Sequence, residues 1–102
     1  MRFDYDPTFL QDGKTYEHEN PALVHAVGSV THFYHRQYPT VIVQMPLTDG
    51  TTVDVHAHAA GYTEEWVHIQ WHDDRAKYSH CWVPVGAVRR AAAPEWRGSF
   101  LH

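Results

Sequence analysis

Residues 41–58, Val41-Ile42-Val43-Gln44-Met45-Pro46-Leu47-Thr48-Asp49-Gly50-Thr51-Thr52-Val53-Asp54-Val55-His56-Ala57-His58, decide the fold. Val41, Val43 and Met45 alternate with Ile42 and Gln44, and Val53, Val55 and Ala57 alternate with Asp54, His56 and His58. A period of two belongs to strands with one buried face. Setting apolar face on apolar face pairs Met45 with Val53, Val43 with Val55 and Val41 with Ala57, which leaves Thr48-Asp49-Gly50 as a three-residue loop. Such a loop needs a left-handed residue at its end, and Gly50 stands there. A two-residue Asp-Gly turn would instead set Met45 against Asp54.

Downstream, Val67, Ile69 and Trp71 face one way and Trp66, His68, Gln70 and His72 the other. The return strand divides into Cys81 and Val83 against Tyr78, His80 and Trp82, with His72 to Lys77 as the turn. Asp73-Asp74 at its tip reads as a solvated turn. Pro84 has no N–H to donate, so Pro84-Val85-Gly86-Ala87 breaks the ladder with one 3₁₀ turn before a short strand at Val88-Arg89-Arg90. Upstream, β-branched and aromatic residues between Ala22 and His35 predict a strand broken at Gly28. The sum is a mostly β chain of five or six short strands.

The ends differ from this body, taken as residues 22–91. Residues 1–21 form an acidic arm without strand or helix period, holding a tight turn at Gln11-Asp12-Gly13-Lys14. Its Phe3, Tyr5, Phe9 and Tyr16 are too many aromatics for a solvated tail, so part of it is expected to pack on the body. Residues 92–102 are a tail with Trp96 and Phe100 as anchors.

A chain of 102 residues holds one core. No apolar run approaches the ~20 residues of a membrane helix, and the first residues are acidic with no signal core, so a cytoplasmic protein without membrane contact is expected. The single cysteine, Cys81, excludes an internal disulfide. Eight basic and twelve acidic residues give a net charge of −4, which makes nucleic acid an unlikely partner. Protonating all ten histidines would take the charge to +6, crossing zero near the pI of 6.2. Six arginines against two lysines, with Asn20 the only asparagine, point to a bacterial or phage source.

Glu64-Glu65-Trp66-Val67-His68-Ile69-Gln70-Trp71 and Cys81-Trp82-Val83-Pro84-Val85-Gly86-Ala87-Val88 together resemble the second half of an SH3-like domain, over about a quarter of the chain. An acidic loop leads into Trp66, where that family has its ligand-contacting tryptophan, and Pro84 stands where a proline opens the 3₁₀ turn. Ala87 replaces the family tyrosine, and the aromatic-acidic opening strand is not visible near Ala22 to Phe33. The resemblance therefore implies a small antiparallel SH3-like barrel and does not carry over proline-rich ligands.

With odd-numbered residues inside, the even-numbered ones gather as a ridge of His56, His58, Trp66, His68, His72, Tyr78, His80 and Trp82. Exposed large aromatics mark recognition surfaces. Trp66, His68, Tyr78, His80 and Trp82 are the expected contact set for a protein partner, without cofactor or catalysis, unless a chain end covers that face. The alternative is a zinc site in which His56 and His58, on one strand face, join His68 or His80, making a metal-binding protein or metal-dependent enzyme. A third reading is a small phage structural or assembly protein, active as a homo-oligomer. Nucleophilic catalysis finds no support: Cys81 points inward, His80 points to the opposite face, and Ser29, Ser79 and Ser99 lie in no nucleophile elbow. Arg89-Arg90, with Arg97, is the only basic cluster.

Overall fold

A computed structural model describes residues 6–19, 30–34 and 37–98. Expectations for Phe3, Tyr5, the stretch from Ala22 to Ser29, Ser99 and Phe100 lie outside those residues. The strands are β1 (Thr8–Gln11), β2 (Lys14–Glu17), β3 (Thr31–His32), β4 (Thr40–Pro46), β5 (Thr52–Tyr62), β6 (Trp66–His72), β7 (Tyr78–Pro84) and β8 (Val88–Arg90), with a 3₁₀ turn at Val85–Ala87. Among the described residues no helix is long and apolar enough to cross a membrane.

The β4–β5 hairpin has the register its apolar faces demand: Met45 opposite Val53, Val43 opposite Val55 and Val41 opposite Ala57. Gly50 takes φ 87° at the loop end. The Leu47 amide donates to Thr51 O at 2.9 Å, while the Asp49 carboxylate accepts from the Thr51 amide and hydroxyl at 2.9 and 2.6 Å. In β6 and β7 the odd-numbered side chains are buried and the even-numbered ones half-buried or exposed. The 3₁₀ turn follows Pro84 and leads into β8, as its missing N–H requires.

The chain is mostly antiparallel β, as expected, but the small barrel of five or six strands is not found closed among the described residues. Among the described residues eight strands form, and the antiparallel path β7-β6-β5-β4-β8 stays open, with β3 attached to β5 and β1-β2 as a separate hairpin. A sheet buries its apolar face either by closing on itself or by receiving a second layer. Here the β1–β2 hairpin supplies cover for the odd-numbered face. Asp12 and Gly13 both have positive φ, 54° and 79°, the primed turn that suits a two-residue hairpin. Phe9, directly opposite Tyr16, is 0% exposed and stacks on it at 5.4 Å, with its ring edge-on to Trp71 at 5.6 Å. His18, 1% exposed, meets the same Trp71 ring at 5.6 Å. Part of the acidic arm is thus core, joined by Val41, Val43, Met45, Val55, Ile69, Cys81 and Val83.

The Asp73-Asp74 tip is corrected in one half. Asp74 is exposed, but the Asp73 side chain is 0% exposed and accepts from the amides of Leu10, Arg75 and Lys77 and from the Arg75 guanidinium. Burial pushes its carboxyl up, yet those hydrogen bonds outweigh burial and hold the pKa at about 2.

Between Ala59 and Gly61 the β5–β6 register slips by one residue. His58 pairs with Gln70 before the slip and Gly61 with His68 after it, so the face parity of β5 inverts. Gly61 leaves room for β3: a Cβ there would stand 3.0 Å from Thr31 O and 3.2 Å from His32 Nδ1.

Candidate functional site

The even-numbered residues of β6 and β7 alternate onto one face, and their rings form a continuous run. His72 meets Tyr78 at 6.1 Å, Tyr78 meets His80 at 5.6 Å, His80 meets His68 at 5.4 Å, and His68 meets Trp82 at 5.0 Å. Four of the five expected contact residues, His68, Tyr78, His80 and Trp82, come together this way. Trp66 shares the face at the end of β6, opposite Pro84, with its amide donating to Thr63 Oγ1 at 3.0 Å. Tyr78 is 49% exposed, and the other four are half-buried.

Within the run His68 Nε2 lies 3.3 Å from His80 Nδ1, so one of the two nitrogens donates to the other. Burial, and then the neighbouring His80 and His32, lower the His68 pKa to about 4. Burial, and then Tyr38, raise the Tyr78 phenol above its ordinary value. His32 of β3 and Tyr38 before β4 therefore belong to the surroundings of the face. The alternation of β6 and β7 gives no sign of them, because His32 is placed by the pairing of β3 with β5 and Tyr38 lies just before β4.

The other end of the ridge is covered by the tail. Trp96 Nε1 donates to Ala57 O at 3.0 Å, its ring stands 4.8 Å from that of His58, and the Arg97 amide donates to His56 Nδ1 at 2.9 Å. Glu95 steadies this turn by accepting from Arg89 at 2.9 Å and from the Ala92 amide at 3.1 Å. His58 is consequently 5% exposed. The tail thus packs over His56 and His58, while Tyr78 at the other end of the ridge is exposed. Among the described residues no three His, Cys, Asp or Glu side chains gather as a metal-ligand set, so His56, His58 and His68 are not brought together as one.

Cys81 lies in the core with Sγ 3.9 Å from Met45 Sδ, and burial pushes its thiol up to about 12. At neutral pH it holds its proton and is a poor nucleophile. Ser79 is buried, and its hydroxyl has no partner among the described residues. A cleft of about 670 Å³ opens where the tail meets the β6–β7 turn, lined by Gln11, Asp54, His56, Trp71, His72 and Asp74 among others. Contacts between residues far apart in sequence form it, so no local pattern announces it. Compared with known proteins, the chain matches no family model, no curated protein and no solved structure.

Proposed function

We propose that this chain is a non-catalytic protein-interaction module of a bacterium or phage, acting in the cytoplasm and binding a protein partner through Trp66, His68, Tyr78, His80 and Trp82. The observation that carries this reading is the ring run from His72 to Trp82 on the outward face of β6 and β7, with Tyr78 as its exposed member. Aromatic rings held against one another present apolar area at little further entropic cost, and such rings dominate binding energy at interfaces. The strand order β7-β6-β5-β4-β8 and the Pro84 3₁₀ turn before the last strand support an opened relative of the SH3-like layout.

The test compares the wild type with a Tyr78→Ala, Trp82→Ala double variant as bait in extract from the source cells. A protein held stoichiometrically by the wild type and lost with a folded variant supports the face. The same proteins retained by both would exclude it.

A further inference from the structure

The His68–His80 pair, rather than the His56-x-His58 repeat, has the geometry of metal ligands. His68 Nε2 and His80 Nδ1 stand 3.3 Å apart with their rings at 77°. Two imidazole nitrogens bound to one zinc ion at about 2.0–2.1 Å along tetrahedral directions lie roughly 3.3–3.4 Å from each other. From this juxtaposition we infer that His68 and His80 form a two-histidine site for one borderline divalent transition cation, zinc or copper(II), with water in the remaining positions.

The pair is held in place before any cation arrives. His68 sits directly opposite Trp82 and His80 opposite Gln70, so the β6–β7 register sets both Cα positions. The Trp82 ring braces His68 at 5.0 Å, and the Tyr78 ring braces His80 at 5.6 Å. Only one hydrogen fits between the two nitrogens, so one of them already offers a lone pair. Binding the cation moves that hydrogen to the other nitrogen of the same ring, so that each imidazole offers one lone pair to the cation. His56 is a poorer choice, since its Nδ1 already accepts the Arg97 amide. Two imidazoles without a carboxylate or thiolate favour copper(II) over zinc.

The inference does not need the partner reading, because it is tested on the isolated full chain without a histidine tag. Calorimetric titration with zinc or copper(II) should show saturable one-to-one binding. His68→Gln and His80→Gln should each weaken it by about tenfold or more, whereas His56→Gln should leave it unchanged. On the wild type, long-range proton–nitrogen spectra should show zinc shifting His68 Nε2 and His80 Nδ1, a result that stands even if a variant fails to fold. Absence of saturable binding, unchanged affinity in folded His68→Gln and His80→Gln, or shifts at other histidines instead would overturn it.

Discussion

The Leu10 amide donates a 3.0 Å hydrogen bond to the Asp73 carboxylate across 63 residues of sequence. That bond, with Asp74 N–H to Leu10 O at 2.9 Å, ties the β1–β2 hairpin to the β6–β7 turn. Phe9 secures the same hairpin from within the core. Asp73→Ala should therefore cost about 3 kcal/mol by leaving several donors without their acceptor, and Phe9→Ala about 3–5 kcal/mol. Urea unfolding of each variant checks both values, and a loss under about 1 kcal/mol for Asp73→Ala would show the tie to be dispensable.

Acid should destabilise the fold before any carboxylate does. The folded-state pKa of His68, about 4, lies below its ordinary 6.5, so the unfolded chain takes up the proton first as pH falls. Burial lowers His18 in the same direction. Stability is thus retained above pH 6.5 and lost between 6.5 and 4, with His68 contributing at most about 3 kcal/mol. Asp73, held at about 2 against an ordinary 3.8, keeps its contribution until pH drops below 3.8. Melting temperatures between pH 7.5 and 4 should show this slope, and His68→Gln should flatten it.

Trp96 is the tail side chain that packs on the ridge itself. Trp96→Ala removes the hydrogen bond to Ala57 O and the ring contact with His58, for a loss of about 2 kcal/mol. The Arg97 amide, bonded to His56 Nδ1, should then lose its protection against hydrogen exchange while the β4–β5 ladder keeps its own. Equal exchange in both proteins would mean that the tail is held by other contacts.

Two turns make opposite demands on alanine. Gly50 has φ 87°, so Gly50→Ala should cost about 1 kcal/mol. Ala76 already sits at φ 61°, held by Asp73 bonds to the Arg75 and Lys77 amides on either side. Ala76→Gly should relieve that strain and gain about 0.5 kcal/mol, because relief exceeds the added freedom of the unfolded chain. Thermal melts of the two variants should shift in opposite directions.

Local pattern determined much of this protein. The β4–β5 register, the place of Gly50, the two faces of β6 and β7 and the turn after Pro84 follow from alternation of period two and from residues with restricted backbones, both of which act between near neighbours. The assembly of His68, Tyr78, His80 and Trp82 was legible for the same reason, since one hairpin carries all four. Tertiary structure alone decided the rest. Phe9 belongs to the core because the β1–β2 hairpin, too short to show a period, packs on a sheet built from residues far downstream. Asp73 looked like a solvated acid because its Leu10 donor lies 63 residues away. The slip after Ala59 inverted the face of β5, and Trp96 and Arg97 closed over His56 and His58. All but the slip depend on loop closure between distant segments, where the energy comes from contacts that alternation within a strand does not encode.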